Sequence, residues 1–283
     1  MIEILSVLEL IKKSADFLAR KGIDSPRLNA ELLIGHVLGL KRMQLYLQFE
    51  RPLTAAELDR IRPLVIRRGQ HEPVQYIVGE AEFHGLKLKV DRRALIPRPE
   101  TEYLIELVVA KCERLPARAL DLGTGSGVIA LALAQAFPQA SVTATDVDPG
   151  ALALALENAT ATALADRVRL VQSDWFGTLP VEPFDLIVSN PPYLSAVETE
   201  QTSPEVRGFE PTRALTSANE GLADLLAIIA DAPRYLAPGG LLALETGISQ
   251  HPRLLEALRA AGFADVESRT DLAGRDRFVF GRL

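Results

Sequence analysis

The sequence predicts an α/β fold with a mostly parallel sheet, covered by helices on both faces and preceded by a small all-helical domain. From residue 117 onward, apolar strand-like runs alternate with alanine- and leucine-rich helical segments, a pattern typical of parallel sheets. Residues 2–70 show helical periodicity. The length of 283 residues favours two domains, and a hydrophobic content of 48% is enough for a substantial core.

Several helices are predicted in the amino-terminal part of the chain. Apolar residues within positions 4–18 recur at the spacing of one helix face. Ser25 and Pro26 suit the cap and the first turn of a second helix. Thr54 followed by Glu57 resembles a capping box, which predicts the start of another helix.

A strand pattern lies at residues 86–90, where leucine and valine alternate with lysine. His84 and Gly85 can turn this strand back onto residues 81–83, so a β-hairpin is predicted. Two prolines then stiffen the chain before a helix that begins near Glu100. The expected domains are a helical domain at residues 1–72, a β-hairpin linker at residues 73–98 and an α/β domain at residues 99–283.

The α/β domain contains five clear strand-like runs. They lie at residues 119–122, 142–146, 168–171, 184–189 and 241–245, and two more strands are expected near 266–268 and 277–280. Helices are predicted between the strands, for example at residues 128–137, 150–159 and 222–236. Ligands of such a sheet bind outside the carboxyl ends of the strands, so functional residues are expected in the loops that follow them.

Charge and composition restrict the partners of the chain. A net charge of −6 and a pI near 5.4 argue against a large nucleic-acid footprint, although a local basic patch is compatible with them. Cys112 is the only cysteine, so an intrachain disulfide is excluded and a reducing cytosol is expected. The first four residues lack the basic start of a signal peptide, and no apolar run approaches the ~20 residues that span a bilayer. We expect a cytoplasmic protein without membrane contact, with a monomer as the default state.

A glycine-rich turn is predicted at residues 121–127, between the first strand of the sheet and a helix. Its sequence, Asp-Leu-Gly-Thr-Gly-Ser-Gly, lets backbone approach a ligand, while the helix amino end offers free N–H groups. Asp146 ends the next strand, 19 residues after Gly127, where its carboxylate can accept both hydroxyls of a ribose. This pair fits a dinucleotide or S-adenosylmethionine, and the G-x-G-x-G spacing resembles motif I of class I methyltransferases. The candidate contacts in the turn are Gly123, Thr124, Gly125, Ser126 and Gly127.

Asp174 and Trp175 follow the third strand of the sheet. The Asp174 carboxylate can accept a hydrogen bond from an adenine amino group, and the Trp175 ring can cover the adenine face. The alternative is a turn whose tryptophan, the only one in the chain, packs as ordinary core. The four histidines lack the spacing and the cysteine neighbours of a metal site, so no metal is expected.

A segment of four residues, Asn190, Pro191, Pro192 and Tyr193, follows a buried strand at the sheet edge where ligands bind. The Asn190 side chain and the Pro191 backbone each offer a carbonyl acceptor, and Tyr193 offers a flat ring. This set suits a planar NH2 group, either an amide or the exocyclic amine of a base. An amide nitrogen held between the two acceptors would direct its lone pair at a methyl donor and be stabilised as positive charge develops on it.

Several segments together resemble one protein family. Residues 96–102 (Ile-Pro-Arg-Pro-Glu-Thr-Glu), the glycine turn, residues 189–193 (Ser-Asn-Pro-Pro-Tyr) and residues 274–277 (Gly-Arg-Asp-Arg) resemble the peptide-chain release factor glutamine methyltransferases. The resemblance covers nearly the whole chain. It implies methylation of N5 of the glutamine in the Gly-Gly-Gln loop of class 1 release factors, without direct contact with nucleic acid. It also implies S-adenosylmethionine as donor, S-adenosylhomocysteine as product, a seven-stranded sheet with an antiparallel last strand, and a helical domain that recognises the substrate.

The resemblance further implies roles for individual residues. The residues that would contact S-adenosylmethionine are Gly123 to Gly127, Asp146, Trp175 and Asn190, and those that would hold the glutamine are Asn190 to Tyr193. Arg98, Glu100 and Thr101 would shape the pocket wall. Two positions depart from the family pattern. Phe209 stands where tyrosine is frequent, which puts a hydroxyl contact in doubt, and Thr246 stands where an apolar residue is usual, which is expected to change packing only.

Three alternative functions remain open. DNA adenine-N6 methyltransferases use a similar Asn/Asp-Pro-Pro-Tyr segment, but they need a basic target-recognition surface and room for base flipping. Glutamine methyltransferases of a large-subunit ribosomal protein share the catalytic segment, so the amino-terminal domain alone discriminates them. A non-catalytic binding module would be expected to have lost Asn190 or the glycine turn, and this chain keeps both.

Overall fold

The computed structural model describes residues 5–283, so the helical prediction for Ile4 lies outside the described part of the chain. The chain divides into two compact units. The helical unit contains the residues up to Gly79 together with Ser203–Phe209, and the sheet unit contains Glu80–Thr202 and Glu210–Leu283. Within the described range, no helix combines the length and the apolar character needed to cross a membrane.

The helical unit consists of α1 Val7–Arg20, α2 Pro26–Leu38, α3 Arg42–Leu47, α4 Ala55–Gly69, α5 Val74–Val78 and the separate short helix Pro204–Phe209. The predicted capping box is present at α4, where the Glu57 amide donates to Thr54 Oγ1 (3.2 Å) and the Thr54 amide donates to Glu57 Oε2 (2.9 Å). The predicted serine cap of α2 is wrong, although Pro26 does occupy the first turn. Ser25 has a φ of +48° and makes no cap bond, because a cap needs an extended backbone to reach the free N–H groups.

A buried arginine fastens the short helix to the rest of the helical unit. The Arg68 guanidinium donates to Asn29 Oδ1 (2.7 Å) and to the Glu72 carbonyl (3.2 Å), and it forms an ion pair with Glu205. The Arg68 side chain is 4% exposed and that of Glu205 is 31% exposed, so the pair is partly buried. This pair explains why residues 203–209 belong to the helical unit. The fully buried apolar core beside it includes Ile11, Leu18, Leu33, Ile34, Leu45 and Ile61.

The sheet unit opens with the predicted β-hairpin. Its strands, β1 Glu80–Phe83 and β2 Leu86–Lys89, pair antiparallel. His84 and Gly85 both have positive φ (49° and 76°), as a two-residue hairpin turn requires. The buried side chains of the hairpin join the core of the sheet unit.

All the strands predicted for the α/β domain are present. The remaining elements in chain order are α6 Pro99–Lys111, β3 Arg118–Leu122, α7 Val128–Ala136, β4 Ser141–Asp146, α8 Pro149–Ala161, β5 Val168–Gln172, β6 Phe184–Ser189, α9 Ala196–Gln201, α10 (the short helix above), α11 Ala218–Gly221, α12 Ala223–Asp231, β7 Leu236–Glu245, α13 His251–Ala260, β8 Glu267–Thr270 and β9 Asp276–Arg282. The helix predicted at 222–236 stops at Asp231, because Pro233 has no N–H with which to continue it. β7 accordingly starts at Leu236, five residues earlier than expected.

Strands β3 to β9 form one seven-stranded sheet in the order β5-β4-β3-β6-β7-β9-β8. Every neighbouring pair is parallel except those of β9, which runs antiparallel to β7 and β8. The expected sheet with a reversed last strand is therefore confirmed. The chain runs outward from β3 in one direction and from β6 in the other, which makes β3 and β6 the switch point where a crevice opens.

Candidate active site

A cleft opens at the carboxyl ends of β3, β4, β5 and β6. It encompasses about 1110 Å³ of space, including open solvent at its mouth. The predicted site residues that line it are Gly123, Thr124, Gly125, Ser126, Asp146, Asp174, Trp175, Asn190, Pro192, Arg98 and Thr101. Four other predicted residues do not line it, namely Gly127, Pro191, Tyr193 and Glu100.

The glycine turn takes a conformation that favours glycine. Gly123 and Gly125 have φ values of +71° and +55°. A Cβ on Gly123 would lie 3.2 Å from Trp175 Cζ3, so this glycine keeps space for the indole. Gly127 begins α7, and a Cβ there would lie 3.2 Å from α8. Gly127 therefore serves the packing of two helices rather than the cleft.

Asp146 ends β4 and is held by the backbone of two loops. Its Oδ2 accepts the Gly125 N–H and its Oδ1 accepts the Asp148 N–H, each at 2.9 Å. Burial raises the pKa of Asp146, and the two hydrogen bonds oppose that shift. Each oxygen keeps a further lone pair, so the carboxylate can accept two ligand hydroxyls.

Asp121 lies behind the glycine turn and is fully buried. Its Oδ2 accepts the Thr124 hydroxyl (2.6 Å) and the Ala130 N–H (3.0 Å), which ties the turn to the start of α7. Its Oδ1 has no partner among the described residues. Burial raises the pKa of Asp121 to about 7.

Trp175 forms part of the cleft wall. Its indole N–H donates to Asp224 Oδ1 (3.2 Å), and both residues line the cleft. Asp174 is exposed at the mouth of the same cleft. The structure therefore places the predicted adenine contacts together, and it adds the α12 residue Asp224, which the sequence pattern did not suggest.

The segment after β6 divides between two environments. Asn190 and Pro192 line the cleft, and Asn190 Nδ2 donates to Thr101 Oγ1 (3.1 Å). The Tyr193 hydroxyl instead donates to Glu245 Oε1 (3.1 Å) at the end of β7. Tyr193 therefore anchors the loop, and the ring predicted to stack on a ligand does not line the cleft.

The three predicted pocket-wall residues also separate. Arg98 and Thr101 line the cleft, whereas Glu100 pairs with Arg275 (3.1 Å). The Arg98 guanidinium forms an ion pair with buried Glu210, whose second oxygen accepts the Ile96 amide (3.1 Å). Glu210 thus holds the stretch that leads into α6 against the cleft.

The two departures from the family pattern have different environments. Phe209 belongs to the helical unit and does not line the cleft. Thr246 is buried, and its hydroxyl lies 2.7 Å from His251 Nε2, while His251 Nδ1 lies 2.6 Å from Ser268 Oγ. The expectation that Thr246 changes packing only is wrong, because its hydroxyl takes part in a buried hydrogen-bond chain.

Sequence reasoning missed the acidic residues that hold the site from behind. They are Asp121, Glu210 and Glu245, and the cleft-lining Asp224 was missed as well. Glu245 carried a usable signal, since it ends an apolar strand at the same sheet edge as Asp146. Asp121 also stood within the glycine-rich motif, next to its partners Thr124 and Ala130. Glu210 and Asp224 carried no such signal, because their partners are distant in sequence. Within residues 5–283, no group of three or more His, Cys, Asp or Glu side chains could hold a metal ion.

The sheet order, the glycine turn and the cleft define a class I methyltransferase. A 16S rRNA methyltransferase from T. thermophilus, solved with AdoMet and guanosine, shares this fold, with a TM-score of 0.52 and 20% identity over 72% of this chain and 49% of that one. Residues 9–79 match the family described as "PrmC N-terminal domain", and residues 100–206 match "Methyltransferase small domain".

Full-length relatives narrow the class to one family. The chain is 45% identical to the release factor glutamine methyltransferase of Chlorobaculum tepidum, over 96% of this chain and 95% of that protein. It is 42% identical to the release factor glutamine methyltransferase of Geobacter sulfurreducens, over 99% of this chain and 98% of that protein. The chain belongs to the release factor glutamine methyltransferase family.

Proposed function

We propose that this chain transfers a methyl group from S-adenosylmethionine to N5, the side-chain amide nitrogen, of the glutamine in the Gly-Gly-Gln motif of class 1 release factors. The hydrogen bond from Asn190 Nδ2 to Thr101 Oγ1 (3.1 Å) carries the proposal. It engages the NH2 of Asn190, which lines the cleft, and we infer that the carbonyl oxygen is the atom that accepts from a primary amide there. Membership of the family supports the same substrate.

The charges of the cleft suit S-adenosylmethionine, whose sulfonium and amino groups are both positive. Four carboxylates line the cleft, those of Asp146, Asp148, Asp174 and Asp224. The three arginines that line the cleft each form ion pairs with carboxylates. Arg93 pairs with Asp91 and Glu157, Arg98 pairs with Glu210, and Arg213 pairs with Asp148. We assign the glycine turn and Asp146 to the ribose and methionine parts of the donor. We assign Asp174 and Trp175 to the adenine.

The residues of the cleft supply orientation and charge stabilisation. The donor, when bound, supplies a methyl group activated by positively charged sulfur. An amide nitrogen is a weak nucleophile because its lone pair is delocalised into the carbonyl. Asn190 Oδ1 would accept one amide hydrogen, direct the lone pair and stabilise the charge that develops on nitrogen. Such alignment is worth on the order of 7–11 kcal/mol in favourable cases. The methylated nitrogen becomes acidic and releases its proton to an adjacent acceptor.

We assign recognition of the release factor to the helical unit. Large apolar side chains are exposed on its α2 and α3, namely Leu28, Leu32, Met43 and Leu47. Met43 and Leu47 are 70% and 86% exposed, and exposed apolar groups of this kind are typical of protein docking surfaces. We expect Met43→Asp with Leu47→Asp to raise the KM for the release factor but not for a Gly-Gly-Gln peptide. Leu272→Asp, at an equally exposed leucine of the sheet unit, is the control, and an equal rise in KM there would refute the assignment.

Radiolabelled methyl transfer tests the proposed reaction. Purified release factor, large-subunit ribosomal proteins and DNA are each incubated with the enzyme and labelled donor. We expect label in the release factor alone, and none when the Gly-Gly-Gln glutamine is replaced. Label in DNA, or in the release factor whose Gly-Gly-Gln glutamine is replaced, contradicts the proposal. Preferential labelling of a ribosomal protein supports the alternative activity, methylation of a large-subunit ribosomal protein.

A further inference from the structure

A chain of hydrogen bonds runs from Asn190 into the core of the sheet unit. Asn190 Nδ2 donates to Thr101 Oγ1 (3.1 Å), and Thr101 Oγ1 donates to Glu245 Oε2 (2.7 Å). Thr101 is 2% exposed and Glu245 is 1% exposed, so water does not compete for either side chain. The chain joins the loop after β6 to α6 and to the end of β7.

The direction of these hydrogen bonds follows from the number of hydrogens. An ionised carboxylate only accepts, and a hydroxyl has a single hydrogen to give. Thr101 gives that hydrogen to Glu245, so it can offer only lone pairs to Asn190. The Asn190 side chain therefore bonds to Thr101 through its NH2, which donates, and not through its oxygen, which only accepts. The Glu245 carboxylate therefore determines, through the Thr101 hydroxyl, which atom of the Asn190 amide is available to a ligand in the cleft.

Glu245 accepts a hydroxyl at each of its two oxygens, although its pKa lies above the usual value. Its second oxygen, Oε1, accepts the Tyr193 hydroxyl (3.1 Å). Burial raises the pKa of Glu245, whereas the hydrogen bond from Thr101, the charge of Arg277 and the hydrogen bond from Tyr193 lower it. One carboxylate thus holds both ends of the segment from Asn190 to Tyr193. The Tyr193 carbonyl also accepts the Gln250 side-chain N–H (2.8 Å), which leaves this segment little freedom to rotate.

We propose that Glu245, acting through Thr101, is a positioning residue that sets which atom of Asn190 meets the substrate amide. The role rests on the proposed function, because a substrate NH2 requires a carbonyl oxygen at that point. If the amide were reversed, Asn190 would present its own NH2 to the substrate NH2, and two donors would face each other. The substrate nitrogen would then lose its orientation, while the contacts that dock the release factor would remain.

Two substitutions at Thr101 form a matched pair. Thr101→Val keeps the shape of the side chain but removes the hydroxyl, whereas Thr101→Ser keeps the hydroxyl. We expect Thr101→Val to lower kcat about 100-fold, the effect of misplacing a reacting group by about 1 Å. The KM for the release factor and the Kd of the donor should stay near wild type, and Thr101→Ser should restore most of kcat. Equal kcat values for the two variants, each folded by circular dichroism, would overturn the proposal.

Glu245→Gln tests the carboxylate itself. Glutamine keeps the size of the side chain but adds a donor, which can face the Thr101 hydroxyl and remove its fixed direction. We expect kcat to fall while the KM for the release factor stays near wild type. A kcat equal to that of the wild type would show that Glu245 does not set the orientation of Asn190.

A spectroscopic measurement reports the orientation without any substrate. The chain has four asparagines, Asn29, Asn158, Asn190 and Asn219, so selective ¹⁵N-asparagine labelling gives few side-chain NH2 signals to assign. Asn190→Ala identifies the signal of Asn190. We expect that signal to be alike in the wild type and Thr101→Ser, and shifted or broadened in Thr101→Val and Glu245→Gln. An unchanged signal in Thr101→Val would contradict the positioning role.

The positioning role and the proposed function fail in different ways. If the wild type does not methylate the release factor glutamine, the proposed function is refuted, whatever the signal of Asn190 shows. If the wild type does methylate it, and Thr101→Val keeps both the wild-type kcat and the wild-type signal, the positioning role alone is refuted.

Discussion

Replacing Gly123 by alanine should weaken donor binding through Trp175. Gly123 has a φ of +71°, and an added Cβ would lie 3.2 Å from Cζ3 and 3.6 Å from Cη2 of the indole. The shorter distance is a few tenths of an ångström below an ordinary carbon–carbon contact. The ring must therefore shift, although its N–H bond to Asp224 (3.2 Å) resists the shift.

The expected magnitude has two parts. The left-handed backbone costs an alanine about 1–2 kcal/mol of stability, which lowers the free energy of unfolding. Stacking of a base on an aromatic ring is worth about 1–3 kcal/mol, and losing part of it should raise the donor Kd about tenfold. Gly239→Ala is the matched control, because Gly239 has a φ of +78° with nothing within 4 Å of an added Cβ.

The assay combines urea unfolding with isothermal titration calorimetry of the donor. Both variants should lose similar stability, and only Gly123→Ala should lose donor affinity. If Gly123→Ala binds the donor as tightly as Gly239→Ala does, the placement of adenine against Trp175 is refuted. If Gly239→Ala loses no stability, the estimate of backbone strain is refuted.

Three further predictions follow from the same site. Asn190→Ala should lower kcat about 100- to 1000-fold, as removal of one group that stabilises developing charge does. Much of the donor affinity should be retained. Turnover within a few-fold of wild type would contradict the proposed contact between Asn190 and the substrate amide. Donor binding should change the fluorescence of Trp175, the only tryptophan. Trp175→Phe should abolish that signal and weaken donor binding by about 1 kcal/mol through loss of the hydrogen bond to Asp224. An unchanged donor affinity by calorimetry would contradict the assignment of Trp175 to the adenine. Burial raises the pKa of Asp121 from 3.8 to about 7, so its contribution to stability is complete at low pH and is lost as the pH rises through about 7. The variant Asp121→Asn is neutral at every pH and should show a flatter pH dependence of the free energy of unfolding. A pH dependence identical to that of the wild type would refute the assigned pKa.

Local patterns were sufficient to predict most elements of the sheet unit. The strand at residues 184–189 was predicted with the observed bounds. The other strands differ by one or two residues at their ends, except β7, which starts five residues earlier than predicted. Strands buried on both faces read as continuous apolar runs, so the signal lies within each short segment. The hairpin was predictable for the same reason, because His84 and Gly85 occupy its turn directly between the two strands.

Local patterns failed where the role of a side chain depends on an unusual backbone conformation or on a distant partner. Ser25 has the right residue type for a cap, but its backbone adopts a left-handed conformation. Tyr193 has a ring suited to stacking, but its hydroxyl is bound to a carboxylate 52 residues further along the chain. Glu245 reaches Thr101 across 144 residues. Hydrogen bonds over such separations leave no periodic trace in the sequence.

The sequence by itself determined the parallel sheet and the glycine turn at its first strand, and it predicted an amide-binding role for Asn190 and Pro191. These depend on residue type and on neighbours a few positions away. Only the tertiary structure decided that the Asn190 NH2 is bound by Thr101, that Tyr193 anchors the loop and that Glu245 lies behind both. The physical reason is that a side-chain amide and a hydroxyl can each donate or accept. Their direction is set by the buried partner that the fold brings within reach.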